Sequence, residues 1–258
     1  RRMFKRAKEF LKATQMDLKE VEPPAPADPI TGVLMDDLVY LRAQFGVSAD
    51  LTIRRLNVCG HEAAVVTLEG MIDRHMMADA VILPLTSITG AYTPQELLNH
   101  IRDDVLGYVD MLQVTTMPEL INLVASGFGA VLVDGAPCAV LGGLQAFMIR
   151  GVSEPSTEVT VRGSREGFTE AIRVNISMIR RRLKTPDLTF EMMSVGKTSN
   201  TAVCMCYMRS RVSQRLLRDV RERLSSIPLD VVLESGYIQP FLENRHLSLF
   251  SGVDVTER

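Results

Sequence analysis

The sequence predicts an α/β (α+β) fold of two small mixed subdomains joined by a short connector, with a basic helix ahead of them. Three observations predict it. Segments of helical and strand periodicity alternate from Met35 to Leu233. A polar, turn-forming stretch, Ser153-Glu154-Pro155-Ser156-Thr157-Glu158, interrupts them past the midpoint. Asp134-Gly135 lies between two short apolar runs, the pattern of a tight β-hairpin. A length of 258 residues fits one large or two ordinary domains, and a hydrophobic content of 46% separates the chain from disordered sequences.

Residues 1–20 set Met3, Phe4, Ala7, Phe10 and Leu11 on one helical face against Arg1, Arg2, Lys5, Arg6, Lys8 and Lys12. Such a basic amphipathic helix suits an anionic membrane surface or a neighbouring subunit, and is equally what a frayed terminus would show. Residues 21–32 carry Pro23, Pro24, Pro26 and Pro29 and form a linker that cannot be regular helix.

The first subdomain is expected over 33–152. Asp36 and Asp37 open a helix that runs to Phe45 and stops at Gly46; strands follow at Leu51–Leu56 and Ala63–Leu68, then a helix at Asp73–Ile82. Thr93-Pro94-Gln95-Glu96 combines a capping threonine, proline at the first helical position and a glutamate three residues after the cap, so a further helix starts there. One more covers Pro118–Ser126, and the hairpin pairs Ala130–Val133 with Ala139–Leu144. The stretch Gly127–Ile149 is long enough for a bilayer, but Asp134 at its centre would be costly in lipid, and the hairpin accounts for it better.

The second subdomain is expected over 153–250. Gly163 and Ser164 supply a turn and a cap for a helix that ends at Arg180-Arg181-Arg182-Leu183-Lys184. Phe168, Ile172, Ile176, Ile179 and Leu183 form its apolar stripe, and Glu166 and Glu170 at one end with the basic residues at the other suit the helix dipole. Arg173 and Arg180 lie on one flank, Asn175 and Arg182 on the other; each arginine fits either a solvated ion pair or an interface contact. Strands at Leu188–Val195 and Thr201–Met208, a helix carrying Leu216, Leu217, Val220 and Leu224, a third strand at Asp230–Leu233 and a short helix after Ser235-Gly236-Tyr237 complete the unit. Residues 251–258 read as an exit toward a further region.

Composition narrows the function classes. With 29 basic against 31 acidic residues there is no broad positive field, and 5% aromatics without tryptophan leave few platforms for stacking bases. Nucleic acid is therefore not an expected partner, the Arg180 to Lys184 cluster notwithstanding. Four cysteines without a secretory signal fit a reducing compartment, and Cys204-Met205-Cys206 reads as two buried thiols on one strand face. His61, His75, His100 and His246 are scattered, so neither a metal nor a cofactor is expected. Asp36-Asp37 and Asp103-Asp104 fit helix ends better than catalysis, and no nucleophile stands at a recognisable distance from a base, which points away from an enzyme. Arg162, Arg165 and Glu166 around the glycine turn are the strongest candidates for a specific contact. A turn with two arginines at a helix start is also a possible anion site, although Gly163 and Gly167 make no phosphate-loop or dinucleotide fingerprint.

Several of these residues resemble the GerA family, the A subunits of bacterial spore germinant receptors, over their soluble N-terminal region. The resemblance rests on Glu154-Pro155, on Arg162-Gly163-Ser164-Arg165-Glu166-Gly167-Phe168, on Asn175 with Arg180-Arg181-Arg182, and on Glu234-Ser235-Gly236-Tyr237-Ile238. Leu68-Glu69-Gly70-Met71-Ile72-Asp73 and Val133-Asp134-Gly135 add weaker agreement. It implies a non-enzymatic domain on the cytosolic, core side of the spore inner membrane, followed by transmembrane helices in the full protein. It implies B and C subunits as partners, a homo-oligomer in the membrane, and a role in assembly and in gating an ion channel. Arg162, Arg165, Glu166, Arg173, Asn175, Arg180 and Arg181 would then make interdomain or subunit contacts. A small-molecule or anion-binding sensory domain is the alternative, and a paralogue encoded with the spore dipicolinic acid channel shares the same motifs.

Overall fold

Leu34, Leu38, Leu41 and Phe45 recur at helical spacing and are all buried, so α1 (Leu34–Phe45) forms by laying this stripe on a sheet. In the computed structural model, residues 28–106, 111–143, 166–243 and 256 are described. The predicted basic helix, most of the proline-rich linker, the 153–158 connector, Arg162, Arg165 and nearly all of the 251–258 exit lie outside them.

Gly46 closes α1 with φ 64°, and the buried Asp37 carboxylate accepts from Thr31 N–H (3.0 Å) and Thr31 Oγ1–H (2.9 Å), fixing the entry to the helix. β1 (Leu51–Val58) and β2 (His61–Leu68) pair antiparallel about Cys59-Gly60, where Cys59 takes a left-handed φ of 49°. The next helical stretch runs beyond the expected end at Ile82. It consists of α2 (Arg74–Met77), a π-helical turn (Ala78–Ile82) and α3 (Leu83–Ser87). α4 (Pro94–His100) begins with the expected capping box, in which Thr93 and Glu96 bond reciprocally, and continues as a second π-helical turn (Ile101–Val105).

β3 (Met111–Val114) had no sequence signal, being a four-residue edge strand with Leu112 and Gln113 exposed. α5 (Met117–Ala125) leads to the hairpin of β4 (Gly129–Val133) and β5 (Ala139–Gly142). The hairpin turn locks α1 from outside: Asp134 Oδ1 accepts the Leu34 N–H at 3.0 Å, and Gly135 N–H donates to Gly32 O at 2.7 Å. The strands form one antiparallel sheet in the order β1-β2-β4-β5-β3. Alternation sends Ala64, Val66, Ala130, Leu132 and Leu141 to α1 and α5, and Ala63, Val65, Val131, Val133 and Val140 to the helices on the opposite face.

α6 (Ile172–Arg182), β6 (Leu188–Val195), β7 (Thr201–Met208) and α7 (Gln214–Ser225) follow. β6 and β7 match the expected strands residue for residue and pair as a two-stranded sheet. α6 packs Ile176 on one face of it with Leu188 and Phe190; α7 packs Leu224 on the other with Val195, Val203 and Met205.

The expected third strand at Asp230–Leu233 does not form. Leu229 O and Asp230 O instead accept from Lys197, Thr198 and Ser199 N–H, and Val232 pairs with the hydroxyls of Ser199 and Thr201, so the segment caps the β6–β7 turn end-on. A 3-10 turn (Ser235–Tyr237) and α8 (Gln239–Leu242) close the described chain. The cysteine reading needs correction as well: Cys204 is half-buried against the Ile176, Leu188 and Phe190 cluster, but Cys206 is exposed. Burial, then the neighbouring Cys206, pushes the Cys204 thiol up to about 11. Alkylation of Cys204 at pH 8 should run more than about tenfold slower than in the urea-unfolded chain, read by peptide mass spectrometry.

Glu191 of β6 ties α7 to this sheet, its carboxylate taking a bidentate pair from Arg221 at 2.7 Å and 2.7 Å, with Tyr207 Oη 3.2 Å away. The Arg221 hydrogen bonds hold the Glu191 carboxyl below the usual range. A carboxyl depressed in the folded state stabilises fully above its unfolded value, and that stabilisation fades as pH falls through the folded one. Glu191→Gln should therefore cost under about 1 kcal/mol at pH 7, given the partial exposure of both partners. The difference should shrink toward zero below about pH 4, as urea midpoints across pH will show.

Candidate functional site

α6 starts later than its sequence signals suggest. Residues 166–171 are not helical and Ala171 caps the helix without a side-chain bond, because Asn175 captures the preceding segment. Its Oδ1 accepts from Thr169 N–H at 2.7 Å and its Nδ2 donates to Thr169 O at 2.6 Å, a two-point clamp that holds the chain against the first turn. Glu166 is thereby released from the expected N-terminal role and reaches the other end of the helix, where Arg181 and Arg182 donate to its two oxygens at 3.2 Å and 3.0 Å. The Arg182 hydrogen bond, with the charge of Arg181 beside it, holds the Glu166 carboxyl below the usual range. Phe168 and Leu183, the ends of the predicted apolar stripe, are 39% and 46% exposed; only its middle is covered.

Arg180 is the largest fully buried side chain among the described residues, with 0% exposure. Its Nε and Nη2 donate to Asp50 Oδ2 and Oδ1 at 2.8 Å and 3.1 Å, a bidentate pair. Nη1 donates to Thr185 O at 2.7 Å and Nη2 to Leu188 O at 3.0 Å, while the guanidinium carbon stands 5.0 Å from the Phe190 ring centroid. Ser48 completes the cluster: its hydroxyl donates to Asp50 Oδ1 at 2.5 Å and accepts Phe190 N–H at 3.1 Å. Ala49 N–H donates to Phe190 O and Glu69 N–H to Asp50 O, each at 2.7 Å. The loop between α1 and β1 is thus stitched to β6, and the ion pair sits under the seam.

Two further arginines cross the same seam. Arg173 pairs with Glu69 at the end of β2, and Arg209, just after β7, donates to the carbonyls of Ala43 (2.9 Å) and Gln44. Those carbonyls belong to the last turn of α1, where a cation also meets the negative end of the helix dipole. Between the seam residues lies a cleft of about 70 Å³ lined by Ala49, Asp50, Glu69, Arg173, Ile176 and Met192.

Of the residues singled out from sequence, Arg173 and Arg180 reach across to the five-stranded sheet, whereas Asn175, Arg181 and Glu166 act within the α6 segment. Arg162 and Arg165 lie outside the described residues. Sequence reading missed Ser48, Asp50 and Arg209, which have no motif of their own; Glu69 was noted only as part of Leu68-Glu69-Gly70. Chemically, the Arg180 cluster is a strap in which each guanidinium nitrogen has an acceptor and both Asp50 oxygens are used. Among the described residues no group of three or more His, Cys, Asp or Glu side chains is placed to hold a metal ion, and no helix is long and apolar enough to cross a membrane.

Comparison with known proteins gives a consistent picture. The Bacillus/Clostridium GerA spore germination protein family matches residues 39–258. Spore germination protein KA of Bacillus subtilis (strain 168) is 30% identical over 235 residues, covering 89% of this chain and 42% of that protein. Spore germination protein GerLA of Bacillus cereus is 30% identical over 231 residues, covering 89% and 47%. Stage V sporulation protein AF of Bacillus subtilis (strain 168) is 30% identical over 222 residues, covering 84% and 44%. The chain spans less than half the length of these curated relatives. Among solved structures, the N-terminal domain of the A subunit of the Bacillus megaterium spore germinant receptor GerK3 shares the fold, with a TM-score of 0.68 at 24% identity over 91% of this chain and 87% of that one.

Proposed function

The chain belongs to the GerA family of spore germination proteins, and from that premise we propose that it is the N-terminal, non-enzymatic domain of a spore germinant receptor A subunit. In this reading it lies on the cytosolic, core side of the spore inner membrane, assembles with B and C subunits, and passes conformational change to a membrane-embedded remainder. The observation that carries it is the Arg180 cluster. A receptor domain that works by contact must move as one body, and a buried bidentate pair with each guanidinium nitrogen partnered couples the two sheets far more stiffly than exposed ion pairs would.

Five carboxylates of the described residues support the same reading, since they are committed to structure. Asp37 and Asp134 fix the start of α1, Asp50 holds Arg180, Glu166 staples α6, and Glu191 binds Arg221. Co-purification from spores tests the proposal: full-length protein carrying Arg180→Ala should recover less B and C subunit than wild type, whereas Arg182→Ala, at an exposed position, should recover as much. Incubating the purified chain with amino acids, sugars and nucleotides should leave every compound unchanged by mass spectrometry. Turnover of any of them, or full recovery of both subunits with Arg180→Ala, would overturn it.

A further inference from the structure

Outside the clasp, a pocket of about 310 Å³ opens on the face of the five-stranded sheet that carries α2 and α3. Its floor is two cross-strand pairs of β1 and β2, Thr52 with Thr67 and Arg54 with Val65. Its roof is Met77, Ala78 and Ile82, contributed by the end of α2 and the first π-helical turn. A π-turn widens a helix locally and recurs at binding sites, and here it stands over the cavity. Because β1 is the edge strand, the pocket lies at the margin of the sheet.

Three polar groups in this apolar chamber have no partner among the described residues. Thr67 is only 3% exposed as a residue, and it lines the cavity. Thr52 stands opposite it, and the exposed Arg54 lies on the Val65 side of the floor. Glu69, the acidic residue of the lining, lies beyond Thr67 at the far end and is neutralised by Arg173. The volume falls at the lower end of ligand pockets, which begin at about 300 Å³ and combine apolar walls with a few convergent polar groups.

We propose that this pocket binds a small amphipathic monocarboxylate. The Arg54 guanidinium takes the carboxylate through charge-assisted hydrogen bonds, the two threonine hydroxyls donate to it or to a neighbouring oxygen, and a short apolar body lies between Val65 and Ile82. The scaffold reading does not depend on this site, because Arg180, Asp50 and Ser48 do not line it; Glu69, at its far end, is the residue it has in common with the seam.

Methyl-labelled NMR of the 258-residue chain tests the site with hexanoate and hexylamine, which share a body and differ in the sign of the head group. Hexanoate should shift the methyls of Val65, Ile72 and Ile82 saturably with a Kd of about 1 mM, and hexylamine should leave them in place. Arg54→Met, at an exposed position, should weaken hexanoate by about tenfold or more. Ala78→Leu, which fills the chamber, should abolish the shifts while the rest of the spectrum stays folded. Equal shifts from both probes, undiminished affinity in Arg54→Met, or no saturable shift up to about 10 mM hexanoate would overturn the proposal. The two-probe comparison on the unsubstituted chain decides the matter even if either variant folds poorly.

Discussion

Replacing Arg180 by alanine should destabilise the chain by about 3–5 kcal/mol, because it strands the Asp50 carboxylate, 2% exposed, without its cation. For a unit of this size that corresponds to a fall of roughly 10 °C in Tm, which thermal unfolding followed by circular dichroism will register. The loss is expected to be mostly that of an orphaned charge. Arg180→Met combined with Asp50→Leu removes both charges and leaves apolar volume, so the double variant should recover much of the single variant's loss. Arg182→Ala provides the contrast: its side chain is 52% exposed, and removal should cost at most about 1 kcal/mol. A cost for Arg180→Ala as small as that of Arg182→Ala would show that the buried pair does not hold the sheets together.

The same pair marks the boundary of what could be read from the sequence. Elements whose signals are local emerged as expected: the Thr93 capping box, the Gly46 stop, the Asp134-Gly135 hairpin, and β6 and β7, whose composition and length identify them without knowledge of neighbours. Arg180 could be placed on a flank of α6 but not sorted from Arg173 on the same flank. What separates them is Asp50, 130 positions earlier in the chain, which no periodicity reveals. The late start of α6 has a similar cause, since the Gly163-Ser164 start signal is local, whereas the non-helical course of 166–171 depends on the Asn175 clamp and on Glu166 pairing with arginines at the far end of the helix. Asp230–Leu233 carries strand composition, yet the hydroxyls of Ser199 and Thr201 and the amides of the β6–β7 turn take its backbone bonds first. The π-helical turns escaped notice because one extra residue in a helical turn barely changes an apolar stripe.

A second large effect is expected at Gly70, where β2 leads away beneath α6. Its φ is +83°, and a Cβ there would stand 2.9 Å from Ser177 Cβ and 3.4 Å from the Arg173 carbonyl oxygen. Gly70→Ala therefore meets two separate penalties: about 1–2 kcal/mol for a left-handed alanine and about 1–3 kcal/mol for forcing α6 off the five-stranded sheet. A total near 3 kcal/mol is expected in urea denaturation. Gly70→Asn separates the two contributions, since asparagine tolerates the left-handed region but carries the same Cβ. If the approach of α6 dominates, asparagine should be as damaging as alanine; if the backbone dominates, it should be much milder. Ser177→Gly gives the complementary check by removing the opposing Cβ, at about 1 kcal/mol for glycine within a helix. Combined with Gly70→Ala it should cost less than the two single changes added together. Strict additivity would mean that the close contact is relieved by a small shift of α6, and that Gly70 is required for its backbone conformation alone.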